Sequence, residues 1–304
     1  MSFSRLYHSN LPVTADYRTA PEYALCPQIS DDERWCAFCA DGKVYFGAYD
    51  GTFQGVEVSP GVHPALCETL LVFEREGNLN AYFDGVLSEI CSGGSPSLAV
   101  GPNCYRLLYT RSDGLYLRSF ENNVWSAEEK VLTLPNFATS TALSYWEDTL
   151  FVAFVQDGFV YFSFGGPGDM SPPVKVGEGV WVASRYLPSG HLVLLYENVS
   201  LFFAVFCVPN SVDQVFELAT PTTAVTPSLQ LRPRNRLFVV YSEALEGFIP
   251  KSLQLPLQSF ATEPVEVSVD GGFPDAVYWA PDSFVKVEYR LIEDGDVGQW
   301  TPLQ

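Results

Sequence analysis

Apolar residues in this chain come in short runs separated by polar or glycine-bearing breaks, and the breaks recur at similar intervals. Cys104 to Thr110 and Leu115 to Phe120 are rich in aromatic, aliphatic and Thr residues, with Arg111-Ser112-Asp113-Gly114 between them. Such side chains suit a pleated, half-buried surface, and Asp-Gly supplies the positive φ of a tight turn, so the stretch predicts a β-hairpin. Ser95 to Val100 in front, and Val124-Trp125 after the polar break Glu121-Asn122-Asn123, extend it to a unit of up to four antiparallel strands.

The same order of run, turn and run returns along the chain. Trp35 to Ala40 and Lys43 to Ala48 flank Asp41-Gly42, Thr69 to Phe73 and Leu79 to Phe83 flank Glu76-Gly77, and Thr149 to Val155 and Phe159 to Phe164 flank Gln156-Asp157-Gly158. Looser copies start at Val180, Thr226 and Phe273. The central turns fall near positions 41, 76, 113, 157, 197, 245 and 294, a spacing of roughly 35 to 50 residues that matches propeller blades. No segment of helical length keeps a 3.6-residue apolar period. Small sheets cannot cover both faces alone and must stack on neighbours, which favours radial repetition over a two-sheet sandwich. The sequence therefore predicts an all-β, single-domain β-propeller over residues 1–304, with seven small blades, or six if one unit is misread. The last unit runs out after its third strand, so the N-terminal segment, residues 1–23, is expected to close the ring with a strand, Arg5 to His8 being the candidate.

Composition fits a large core: 47% of residues are hydrophobic and 17% charged, with 22 Phe and 16 Tyr. The formal charge of −19 opposes approach to a nucleic-acid backbone or an anionic membrane, so neither direct nucleic-acid binding nor membrane insertion is expected. The most apolar stretch, His191 to Pro209, is broken by Glu197-Asn198 and predicts two strands joined by a tight turn, not a membrane span. Seven Cys scattered through apolar runs are expected to be buried free thiols. Cys36 and Cys39 form a CxxC, but within a strand that spacing sends the two side chains to opposite faces. No second pair of Cys or His stands at ligand spacing, so no metal or cofactor is expected. The first residues carry no apolar core of signal-peptide length, and a cytoplasmic or virion-associated protein is expected.

Two stretches come near family motifs. Asp296-Val297-Gly298-Gln299-Trp300 is close to the Ser-x-Asp-x-Gly-x-x-Trp box, with one residue fewer between Gly and Trp, and Tyr17-Arg18-Thr19-Ala20-Pro21 is close to an N-terminal Arg-Ile-Pro signature, with one residue more. In these stretches and in its repeated units the chain resembles the sialidase-like and lectin-like β-propellers over nearly its whole length. A sialidase-like site implies an arginine cluster that holds a carboxylate, a role for which Arg18, Arg185 and Arg290 are available. A lectin-like site implies Trp platforms for sugars, and Trp125 and Trp300, which follow polar turns, are the candidate glycan-stacking residues. Trp35 and Trp181 sit inside apolar runs and predict gap filling between blades. The three His, at 8, 63 and 191, lie near no nucleophile or metal motif, so no catalytic residue is assigned.

The expected function is a non-catalytic scaffold that docks onto other proteins of a larger assembly, with a phage tail or head attachment as the setting. Glycan binding is the alternative, and a degenerate sialidase-like glycosidase the next.

Overall fold

Tight turns set the architecture. Asp41-Gly42, Glu76-Gly77, Asp84-Gly85 and Asp157-Gly158 each place two successive residues at positive φ, between 49° and 80°, the twist that joins antiparallel strands through two residues. The computed structural model describes residues 24–254, with interruptions at 33, 50–52, 102, 147–148, 187–190, 199–200, 208–210, 218–223, 233–235 and 244–248, and short strands on either side of that span. All secondary structure among the described residues is β-strand.

Six antiparallel sheets follow one another in chain order. Blade 1 is Leu25–Ile29, Trp35–Ala40, Lys43–Tyr49 and Phe53–Pro60, and blade 2 is Val62–Cys67, Leu70–Arg75, Asn78–Phe83 and Val86–Ser92. Blade 3 is Gly94–Gly101, Cys104–Arg111 and Gly114–Glu121, its outermost position shared by Val124–Trp125 and Glu129–Thr133. Blade 4 is Ser140–Trp146, Thr149–Gln156 and Phe159–Gly166, with Asp169–Met170 and Val174–Glu178 outside. Blade 5 is Trp181–Tyr186, His191–Glu197, Leu201–Cys207 and Ser211–Glu217. Its hairpin of His191–Glu197 on Leu201–Cys207 is the strand pair expected from the most apolar stretch.

The second strand of blades 1 to 5 is buried on both faces along most of its length, which is why its sequence reads as a continuous apolar run. Along Thr149–Gln156, Leu150, Val152 and Phe154 enter the cluster shared with blade 3, while Phe151, Ala153 and Val155 enter the cluster shared with blade 5. Leu70 and Val72 likewise face blade 3, and Leu71 and Phe73 face blade 1. Each such side chain contributes about 1.5–3 kcal/mol by burial, so the inter-blade clusters dominate the stability of the ring. At the rim, a bulge in the outermost strand recurs in blades 1 to 4 and skips Val58, Ile90, Val131 and Val176. Those four side chains turn into the neighbouring clusters. The bulges also bend each free edge away from pairing with another chain.

Blade 6 consists of Ala224–Arg232, Arg236–Glu243 and Ile249–Gln254, and its outermost strand is Thr14–Asp16 from the N-terminus. An N-terminal strand closes the ring, as expected, but not the one expected: Arg5–Leu6 pairs with Phe260–Ala261 instead. Among the described residues the ring closes with six blades. Cys26 N donates to Thr226 Oγ1 at 2.9 Å, Ser228 Oγ to Pro27 O at 2.7 Å and Ser242 Oγ to Ala24 O at 2.8 Å, while Val240 packs into the cluster of blade 1. Blade 6 touching blade 1 makes six blades among the described residues, the alternative count expected from the sequence. The stretch that looked like a seventh unit lies mostly outside the described residues. Within it Ile292–Glu293 pairs antiparallel with Asp296–Val297, a hairpin that imitates a blade in turn spacing.

Removing residues 1–18 should expose the outer edge of Ile249–Gln254. Hydrogen exchange followed by mass spectrometry should show faster exchange across 249–254, with protection of 104–111 unchanged.

Candidate functional site

The innermost strands share a four-residue repeat: Cys26-Pro27-Gln28-Ile29, His63-Pro64-Ala65-Leu66, Ser95-Pro96-Ser97-Leu98 and Thr226-Pro227-Ser228-Leu229. Blades 4 and 5 carry Ser140-Thr141-Ala142-Leu143 and Trp181-Val182-Ala183-Ser184 at the same place. Proline fits because an innermost strand has a free edge toward the axis, where a missing N–H breaks no ladder. The third residue is mostly small because six strands converge there, and Ile29, Leu66, Leu98 and Leu143 turn away into the inter-blade clusters.

In the four proline blades the residue before Pro is left-handed: φ is 52° at Cys26, 51° at His63, 48° at Ser95 and 47° at Thr226. Each sits in a bulge of the innermost strand. This conformation costs about 1–2 kcal/mol for a residue with a Cβ, and one compensation is common to all four. The bulge aims the residue's N–H at a side chain of the preceding blade. Cys26 N donates to Thr226 Oγ1, Ser95 N to Glu74 Oε2 at 3.3 Å, Thr226 N to Glu197 Oε2 at 2.7 Å and His63 N to the sulfur of Cys39.

Between the strands lies a cavity of about 70 Å³ that touches all six blades. One water needs roughly 10–15 Å³ of such space, so the cavity admits a few waters or a small ion; pockets for drug-sized ligands run to about 300–1,000 Å³. Side chains of one strand, Trp181–Tyr186, span both mouths. On the front face, where innermost strands begin, Trp181 crosses to His63 of blade 2, with ring centroids 5.8 Å apart, and its Nε1 donates to Pro227 O of blade 6 at 2.8 Å. His63 Nδ1 lies 3.3 Å from Glu74 Oε2. On the back face Arg185 Nη2 reaches Asp31 Oδ1 of blade 1 at 3.0 Å, and Ser184 Oγ meets Ser144 Oγ at 2.8 Å.

The electrostatics of the acids differ in sign. The hydrogen bond with His63 holds the Glu74 carboxyl below its usual range, whereas burial pushes that of Glu197 up. Burial also raises the Cys67 thiol, to about 12. Among the described residues, no group of three or more His, Cys, Asp or Glu is placed to hold a metal ion.

Of the residues singled out in the sequence, Arg185 lines the cavity, while Arg18 and Arg290 lie outside the described residues. Trp125 is half-buried, its ring 4.8 Å from that of Phe120, and Trp300 lies outside the described residues. Trp35 stacks on Phe46 in the core, while Trp181 is not only a gap filler: it plugs the axis. Cys36 and Cys39 do face opposite ways, into different clusters. The proline repeat was missed; proline recurring near the start of four of the six innermost runs, at 27, 64, 96 and 227, was the available signal.

No family model and no curated protein matches the chain. Among solved structures it is similar to the six-bladed fucose-recognising lectin of Aleuria aurantia, with 10% identity, a TM-score of 0.58, and 83% of this chain and 100% of that chain covered. It is also similar to a gluconolactonase of Xanthomonas campestris, with 15% identity, a TM-score of 0.55, and 80% and 89% covered. The hydrazine synthase of Kuenenia stuttgartiensis gives 11% identity, a TM-score of 0.53, and 74% and 78% covered. At these identities the likeness establishes the β-propeller fold and nothing of the activity.

The two acids predict opposite pH signatures in thermal melts. Ionised Glu197 opposes folding, and Gln keeps the acceptor for Thr226 N–H; E197Q should melt above the wild type at pH 8, with the difference shrinking as pH falls toward 5. Glu74 stabilises above its unfolded value near 4.5 and loses that contribution below it. E74Q should therefore melt below the wild type at pH 7, and the two curves should converge in acid.

Proposed function

We propose that the protein is a non-catalytic scaffold that docks onto another protein through its front face. The observation that carries this reading is a set of exposed apolar side chains around the plugged mouth. Val62, Phe137 and Val180 are 37%, 45% and 57% exposed. They adjoin His63, Trp181 and Gly94, whose added Cβ would stand 3.0 Å from the Phe137 ring. Interface centres favour aromatic and apolar anchors inside a polar rim, and here Asp41, Glu76 and Asp157 stand on turns of that face. The turns are located by the bonds Gly61 N to Gly42 O, Gly93 N to Gly77 O and Gly179 N to Gly158 O, which tie each hairpin to the chain entering the next blade. A partner with an apolar anchor among Lys or Arg residues suits that surface and the net charge of −19.

The outer rim also exposes Val56, Val86, Leu87, Val124 and Val174. It is blunted by the recurrent bulges and by Glu57, Glu89 and Lys175, and so makes a poorer docking edge. A glycan-binding role has less support, because Trp125 rests on Phe120 instead of standing clear as a platform. A role in a larger assembly, of which a virion is one setting, follows from the docking reading and is decided by the partner's identity.

The test compares affinity capture from the native source by the wild type, by the front-face variant F137D/V180D and by the rim variant V86D/V174D. These exposed sites should change stability by no more than about 0.5 kcal/mol. A partner held by the wild type and the rim variant but lost by the front-face variant is the expected outcome. Equal capture by all three, or turnover of a sialoside or a lactone by the purified wild type, would contradict the reading.

A further inference from the structure

We propose that Cys26 and Cys39 form a dithiol that a hydroperoxide converts into a disulfide within blade 1. The CxxC of the sequence is split by its strand, and the structure gives Cys39 a different neighbour. Cys39 stands directly opposite Leu25 in the pairing of the two inner strands of blade 1, and its Sγ lies 3.4 Å from Leu25 O. The left-handed bulge at Cys26, with φ of 52°, turns the next side chain into the same cluster between blades 1 and 2. There both residues are buried, at 4% and 6% exposure, so the two sulfurs share one pocket. Residues directly opposite on an antiparallel pair come within the span of a disulfide, and the bulge after Leu25 sets Cys26 beside the Leu25–Cys39 pair.

The two side chains pack in the same cluster, and their proximity raises the Cys26 thiol and lowers that of Cys39. Cys39 also receives the backbone N–H of His63, a residue that lines the axial cavity, so the sulfur sits one residue from space that admits a molecule the size of peroxide. Cys36, on the other face of the strand, packs with Ile29 and Phe38, and burial pushes its thiol well up.

The chemistry balances with the hydroperoxide as oxidant. The Cys39 thiolate attacks one peroxide oxygen, the O–O bond breaks, and the sulfur becomes a sulfenic acid as hydroxide or alkoxide departs and takes up a proton. Cys26, losing its proton, attacks that sulfur and expels water. Two thiols are thereby oxidised by two electrons to one disulfide, and the peroxide is reduced to water, or to water and an alcohol. The bond would close a loop of about fourteen residues, for which a melting-temperature rise of about 5 °C is expected. It would also move the Cys39 sulfur that accepts His63 N–H, so redox state would reach the junction of blades 1 and 2 beside the axial plug.

The experiment treats the full chain with hydrogen peroxide, alkylates remaining thiols after unfolding and maps the peptides by mass spectrometry. The expected species links the peptides of Cys26 and Cys39 and is two hydrogens lighter than their sum. It forms in wild type and in C36S, disappears on reduction, and is accompanied by faster exchange of the His63 amide. The inference is overturned if Cys26 and Cys39 are both alkylated after exposures that oxidise Cys104, or if Cys39 is recovered bonded to Cys36 or only as a sulfinic acid. Because the mapping is done on wild type, it does not depend on any Cys variant folding.

Discussion

The ring depends on how its innermost strands satisfy their free edges. Six strands run side by side around the axis, too splayed to pair with one another, so each presents backbone groups that have no ladder to join. The chain meets this with a recurring stitch: a side chain near the end of the second strand of one blade accepts an amide of the next blade. Cys39, Glu74 and Glu197 serve His63, Ser95 and Thr226 in this way. Thr110 Oγ1 accepts Ala138 N at 3.2 Å, and in blade 6 Ser242 donates to Ala24 O. Four left-handed residues before proline are the backbone adjustment that aims the amides outward from the axis.

The same constraint shapes what the molecule can do. Stitching pulls the strands close, and small residues at the third position let them converge, which leaves about 70 Å³ along the axis. Trp181 and Arg185 then span what remains. A propeller filled in this way offers its ligands or partners its faces. The front face combines the plug, an apolar centre and acidic turns, whereas on the rim recurrent bulges turn Val58, Ile90, Val131 and Val176 inward.

Much of this was legible in the sequence, and the reasons are physical. Asp-Gly and Glu-Gly turns can only be read one way between apolar runs, so the hairpins at 41, 76 and 157 were evident. Second strands buried on both faces gave the continuous runs that marked each unit. The count was harder, because a C-terminal hairpin of Ile292–Glu293 on Asp296–Val297 has the spacing of a blade, and it takes the contacts between blades 6 and 1 to show where the described ring ends. Sites were less legible still. His63 and Trp181 are 118 positions apart in the chain (181 minus 63) and meet only because blades 2 and 5 face one another across the axis. Cys39 looked like half of a CxxC, and its true neighbour, Cys26, is brought to it by a bulge that no spacing rule announces.

The most direct test of the stitched-edge account is site-resolved amide exchange in Thr110→Val and Thr226→Val, which keep side-chain shape and remove one acceptor each. The account predicts that exchange accelerates by about fivefold or more, the equivalent of about 1 kcal/mol for one hydrogen bond, at Ala138 in the first variant and at Cys26 in the second, while strand amides within the blades keep their protection. Unchanged exchange at both amides would contradict it.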